Sequence, residues 1–184
     1  MKKTVLVLFS AVLSFQAFSQ KGDLAVGVKG GYVYSPNYYK DGIYGIDVAY
    51  HYSDPLEIAF TGLMNPSISS YRNIRDEKKK LAAYSANLDL RLYLIQHRDW
   101  ATGPALGGQY YIVDDKTENL GAYKTLGFNI GWHFRINLTD YTKINGGWRY
   151  TNAKAKDKNS WDDSSFDISH NLFYLGLSYT FELR

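Results

Sequence analysis

Leu126-Gly127-Phe128-Asn129-Ile130-Gly131-Trp132-His133-Phe134-Arg135-Ile136-Asn137-Leu138 alternates without a break. Leu126, Phe128, Ile130, Trp132, Phe134, Ile136 and Leu138 fall on one side of an extended chain. Gly127, Asn129, Gly131, His133, Arg135 and Asn137 fall on the other. Alternation at period two is the signature of a strand with two unlike faces. A helix at 3.6 residues per turn would scatter both sets around its circumference.

The same pattern recurs along the chain. It covers Asp23–Tyr34, Ile43–Tyr52, Leu56–Met64, Leu81–Leu94, Pro104–Val113 (extendable to Trp100), Thr125–Leu138, Tyr141–Tyr150 and Ile168–Leu183. In the fourth run Leu88, Leu90, Leu92 and Leu94 oppose Asn87, Asp89, Arg91 and Tyr93. The breaks alternate in length. Ser53–Pro55, Gln96–Asp99 and Thr139–Asp140 are tight, whereas 35–42, 65–80, 114–124 and 151–167 are longer and polar. An even number of strands with short turns at one end and long loops at the other is the pattern of a transmembrane β-barrel. The expected fold is therefore all-β, an eight-stranded antiparallel up-and-down transmembrane barrel.

Bulk decides which face is inside. Eight strands enclose a space just wide enough for side chains to fill. The apolar face carries Leu, Ile, Phe, Trp and Tyr on nearly every run, too much volume for that space. The polar face holds Gly27, Gly45, Ala49, Ala59, Ala105, Gly107 and Gly131 among others. So the polar face lines the lumen and the apolar face meets lipid. A soluble lipocalin-like barrel would have the faces reversed. Tyr32, Tyr34, Tyr44, Tyr84, Tyr110, Trp148 and Tyr150 lie toward the loop ends, and Tyr50, Tyr52, Trp100, Tyr179 and Phe181 toward the turn ends. They form two aromatic girdles about an aliphatic belt. Trp132 and Phe134 fall near mid-belt instead. Pro104 cannot donate to a ladder, so it marks either a strand start or a bulge.

Composition agrees. The chain has 184 residues, 17 of them Tyr, with 45% hydrophobic content and no cysteine. That excludes disulfides and thiolate metal sites. Residues 1–19 read as a secretory signal peptide: Lys2 and Lys3, an apolar run from Val5 to Phe15, then Ala17-Phe18-Ser19. The run is too short to span a bilayer as a helix. The expected division is thus 1–19 signal peptide and 20–184 barrel domain. Cleavage removes Lys2 and Lys3 and leaves 19 basic against 18 acidic residues. Near neutrality offers no reason to expect nucleic acid as a partner.

The last run contains Tyr174-Leu175-Gly176-Leu177-Ser178-Tyr179-Thr180-Phe181. Tyr174, Gly176, Tyr179 and Phe181 resemble the C-terminal signal read by the barrel-assembly machinery, although Glu182-Leu183-Arg184 follows where many such chains stop. With the leader and the strand pattern, residues 21–184 resemble the small outer-membrane β-barrel proteins, the OmpA/OmpX-like barrels. The resemblance implies export through the periplasm, residence in the bacterial outer membrane, and contact with its lipid and lipopolysaccharide. It leaves function open, because one fold hosts many jobs.

Lys29, Asp47, Glu57, Asp89, Arg91, Arg135, Lys143 and Arg149 all fall on the inward face, as does Glu182. Both signs are present, so a plug of mutually satisfied charges is expected, with a narrow porin-like channel as the alternative. Lys78, Lys79 and Lys80 in the second loop are either a solvated run or a rim contact for lipopolysaccharide phosphates. Asp167, Ser169 and His170 carry the residue types of an acyl hydrolase or transferase. Adjacent strand residues point to opposite faces, however, so Ser169 and His170 are not expected to pair. The four histidines have no metal-ligand spacing. The expected function is structural: a plugged, non-enzymatic barrel without cofactor or metal, displaying its loops to surface partners. The less favoured alternative is a lipid A-modifying enzyme.

Overall fold

The structure is a computed structural model and describes residues 22–35, 40–53, 55–72, 78–115, 122–156 and 165–182. Among the described residues ten strands form one antiparallel array: β1 (Asp23–Tyr34), β2 (Lys40–Ser53), β3 (Leu56–Arg72), β4 (Lys78–Leu92), β5 (Ile95–Gln96), β6 (Trp100–Asp115), β7 (Ala122–Asn137), β8 (Thr142–Lys156), β9 (Ser165–Asp167) and β10 (His170–Glu182). Eight are long. The short β5 pairs with β6, and the short β9 pairs with the end of β8. Each long strand pairs with its sequence neighbours, and β10 closes on β1 from Asp23↔Glu182 to Tyr34↔Asn171. Closure matters because lipid offers no hydrogen bonds to an unpaired edge.

The register sets the barrel's width. Stepping across ladders, Leu24 faces Tyr50, then Ile58, Leu90, Leu106, Ile130, Tyr150 and Asn171, and Asn171 faces Tyr34. One circuit therefore climbs ten residues, from Leu24 to Tyr34. Such a stagger on eight strands goes with a tilt of roughly 35–45° and a narrow interior. The outward run from Leu126 to Leu138 covers roughly 40 Å of strand. At that tilt it spans about 30 Å along the barrel axis, matching a hydrocarbon core of about 30 Å.

Exposure follows the alternation. Val28, Leu88, Ile130, Leu175 and the other mid-strand apolar residues face outward. Asp47, Asn87, Asp89, Arg91 and Arg149 face inward and are buried. Tyr32, Tyr44, Tyr84 and Tyr110 face outward toward the loop ends, and Trp100, Tyr179 and Phe181 toward the turn ends.

Two expectations need correction. First, the loops of 35–42, 65–80, 114–124 and 151–167 are shorter than the sequence pattern implied. The second is mostly hairpin, with Arg72 opposite Lys78. β2 starts at Lys40, β6 runs to Asp115, β7 starts at Ala122, and β8 runs to Lys156. Beyond the lipid neither face must be apolar, so alternation fades while the backbone ladder continues. Second, the inward face is not uniformly polar or small. Val33, Ile43, Leu63, Tyr111 and Leu172 cluster inside the loop end.

Pro104 lies within β6, where the partner ladder slips. Arg91 faces Ala105, but Ile95 faces Thr102, so Leu92–Leu94 bulge against Gly103-Pro104. Gly103 permits that approach: a Cβ there would meet the Leu92 carbonyl oxygen at 1.8 Å. At the β7–β8 turn, Thr139 Oγ1 accepts from the Thr142 N–H at 2.9 Å and the Tyr141 N–H at 3.3 Å.

This orientation predicts depth-dependent penalties. Leu88→Arg at mid-belt should destabilise the folded barrel by about 2–4 kcal/mol, and Leu138→Arg at the turn end by about 0–1 kcal/mol. Urea titrations in phospholipid vesicles measure both; equal effects would contradict the placement.

Candidate functional site in the barrel lumen

The odd-numbered residues of the long strands β1 to β4 and β6 to β8 and the even-numbered residues of β10 project inward, so the strand pattern stacks side chains in layers. At the turn end lies a recess of about 10 Å³, room for about one water. His51, Arg135, Lys143, Asn145 and Ser178 help to line it. His51 Nδ1 is 3.0 Å from Glu57 Oε2, and Arg135 reaches both His51 and Glu57. The Arg135 guanidinium also lies 4.5 Å over the Tyr93 ring.

Above it sits the charged layer. Arg91 donates to Glu57 Oε1 at 2.6 Å and to Asp47 Oδ1 at 2.9 Å. Lys29 donates to Asp47 Oδ1 at 2.7 Å, and Thr61 Oγ1 donates to the same carboxylate. Tyr93 donates its phenol to Glu57 Oε2 at 3.2 Å. Arg149 pairs with Asp89. Tyr174 links the two groups, with Lys29 Nζ 4.5 Å and Arg149 Cζ 5.7 Å from its ring centre. Its hydroxyl is 3.0 Å from His133 Nδ1. Three buried cations thus meet three buried carboxylates.

Next come uncharged donors and acceptors. Thr151 Oγ1 lies 2.8 Å from both Gln109 Oε1 and Asn129 Oδ1, and Asn129 Nδ2 lies 3.4 Å from Asn87 Oδ1. The apolar cluster caps this layer toward the loops. Ile168 joins the cap because its N–H donates to the Ala153 carbonyl at 3.0 Å, while Ser35 Oγ donates to the Ser169 carbonyl at 3.0 Å. The Ile168-Ser169 segment is thereby tied to both neighbouring strand ends.

The structure brings together Lys29, Asp47, Glu57 and Arg91, with Arg135 alongside, and it joins Asp89 to Arg149. Lys143 stands half-buried at the recess, and Glu182 is exposed at the turn end. Of the terminal-signal residues, Tyr174 and Gly176 face the lumen, while Tyr179 and Phe181 face outward. Lys78–Lys80 open β4 at the loop end. Ser169 and His170 do not meet as nucleophile and base. Ser169 Oγ accepts from the Ala153 N–H at 3.2 Å, and His170 Nδ1 lies 3.1 Å from the Ile168 carbonyl. Residues 157–164 of the fourth loop lie outside the described residues.

Sequence reasoning missed the roles of Thr61, Tyr93, Tyr174 and His133. Parity alone would have turned all four inward. What parity lacks is height, and height decides which inward residues meet.

A family model described as outer membrane protein beta-barrel domain matches residues 5–181. The chain belongs to this family. It is a bacterial outer-membrane barrel. Neisserial surface protein A is 14% identical, with 87% of this chain and 97% of that chain covered, at a TM-score of 0.59. OprG from Pseudomonas aeruginosa is 12% identical, with coverage of 90% and 97% and a TM-score of 0.58. Ail, the attachment invasion locus protein of Yersinia pestis, is 12% identical, with coverage of 89% and 100% and a TM-score of 0.53. At such identities the likeness concerns the fold alone. No curated protein matches the sequence.

The charge layer of this barrel predicts an asymmetry. Arg91→Met leaves two buried carboxylates short of a partner and should destabilise by about 3–5 kcal/mol. Adding Asp47→Asn and Glu57→Gln should recover most of the loss, because the stranded charges are then gone. Urea midpoints in vesicles report both; a triple variant no better than Arg91→Met would contradict the charge balance.

Proposed function

We propose that this protein is a plugged outer-membrane barrel that anchors and displays surface loops, and that it conducts nothing and catalyses nothing. The observation that carries the reading is the filled lumen. The Lys29–Asp47–Arg91–Glu57 cluster occupies its middle, and the apolar cap centred on Tyr111 and Leu172 lies above it. A channel needs a continuous wet path. An apolar layer at the outer end opposes one, and eight strands leave little width to route around it.

What remains accessible is the outer rim. The family neighbour Ail is an attachment protein by name, and one of its structures holds the heparin analogue sucrose octasulfate. By analogy the cationic rim here is the interaction surface. Lys78, Lys79 and Lys80 contact lipopolysaccharide phosphates, and the loops at 35–42, 65–80, 114–124 and 151–167 meet a surface partner. Tyr174, Gly176, Tyr179 and Phe181 serve earlier, as the signal read by the barrel-assembly machinery before the strand is built in. Residues 1–19 are the export signal removed on the way.

Planar-bilayer recording tests the plug. The refolded mature chain should show no reproducible openings; discrete conductance steps would favour the narrow channel. For the rim, replacing Lys78, Lys79 and Lys80 with Gln should weaken lipopolysaccharide binding by about fivefold per lysine at low salt. Unchanged binding would remove them from the site.

A further inference from the structure

The recess at the turn end is lined by more donors than the chain itself satisfies. Thr180, Ala25 and Ala49 fall on one ladder row across β10, β1 and β2. Their side chains are small, so Arg91, Arg135 and Lys143 reach in from β4, β7 and β8 without closing the space. What stays open is about 10 Å³.

Three of the lining residues hold a buried polar atom without a hydrogen-bond partner: Arg91 Nε, Arg135 Nε and Thr180 Oγ1. Thr180 is 3% exposed, and this hydroxyl is its one polar side-chain group. Ser178 accepts from Asn145 Nδ2 at 2.6 Å and keeps its own proton to donate. No hydrogen bond or ion pair holds Lys143 among the described residues. Buried donors are rarely left unpaired, and here several line one small space.

The charges are unequal too. Lys29, Arg91, Arg135 and Lys143 stand against Asp23, Asp47 and Glu57. Glu182 is exposed beyond the recess and does not line it. His51 accepts from Arg135 at Nε2 and so adds no charge. Asp47 is taken by Lys29, Thr61 and both terminal nitrogens of Arg91. Glu57 is taken by Arg91, Tyr93 and His51, and Arg135 stands 3.7 Å from it, beyond hydrogen-bond distance. That leaves Asp23 to face two cations, Arg135 and Lys143.

A single water accepts about two hydrogen bonds and brings no charge. A monatomic anion takes donors from every side and supplies the missing charge. An oxyanion such as sulfate is too large for room that about one water fills. We propose that the recess binds one small monatomic anion, chloride, on the donors of Thr180, Ser178, Arg91, Arg135 and Lys143. The site does not depend on whether the lumen conducts.

Chloride NMR line width tests it on the refolded mature chain in an uncharged detergent, with gluconate holding the ionic strength constant. The folded wild type should broaden the line saturably. Bromide should reverse the effect, and sulfate should not. Thr180→Val and Lys143→Gln should each weaken binding by about tenfold. Lys124→Gln, exposed at the loop end of β7, should behave as wild type. Heat-modifiable gel migration verifies folding of each variant. If Lys143→Gln does not fold, Thr180→Val decides alone, since it keeps the side chain's shape and removes only an unpaired hydroxyl. No saturable broadening by the folded wild type overturns the proposal and leaves the recess to water. Unchanged binding in either folded variant also overturns it. So does displacement by sulfate as effective as by bromide, which would move the anion to an open surface.

Discussion

Hydrocarbon cannot hydrogen-bond to a peptide group. Every backbone N–H and C=O within the bilayer must find its partner inside the protein, and for strands that means a closed ring. Closure from β10 to β1 meets the demand, and the other features follow from it. Eight strands with a ten-residue stagger fix the diameter. The diameter is too small to admit the bulky face, so the apolar side chains must point out. The polar set is then confined to a narrow tube largely cut off from bulk water.

Confinement explains the charge balance. A lone buried charge is heavily penalised, and a buried pair recovers that penalty only with good geometry and further hydrogen bonds. Asp47 receives Arg91, Lys29 and Thr61, and Glu57 receives Arg91, Tyr93 and His51. Such a set need not be more stable than an apolar core of equal volume. Its consequence is specificity. A one-residue slip of β1, β2, β3, β4, β7 or β8 would turn that strand's inward charges toward lipid, so those wrong registers are heavily disfavoured. The uncharged layer of Asn87, Asn129, Gln109 and Thr151 separates the charges from the apolar cap, so polarity falls stepwise toward the loop end.

Much of this was legible in the residues. Alternation in Leu126–Leu138 identified a two-faced strand, and side-chain volume told which face was inside. The β1 limits coincide with the Asp23–Tyr34 reading. The clarity comes from the lipid, which demands an apolar residue at every outward position and leaves no room for ambiguity within the belt. Beyond the belt the demand lapses, and the extensions of β3, β4 and β8 were read as loops. Partners inside the lumen were also hidden. They depend on relative heights, and those depend on shifts at His51/Ser53, Asn65/Ile68 and Gly103-Pro104 that carry no periodic signal. Val33, Ile43 and Leu172 were overlooked because they stand on the inward face as apolar residues, which alternation treats as exceptions.

The central claim is the direction in which the two faces point. The chain has no cysteine, so single cysteines can be placed one at a time from position 126 to 137 without a background. A lipid-soluble quencher should dim an environment-sensitive label at the even positions of the vesicle-inserted barrel and spare it at the odd ones. Quenching of the reverse parity, or none at either because the folded chain stays in the aqueous phase, would contradict the account.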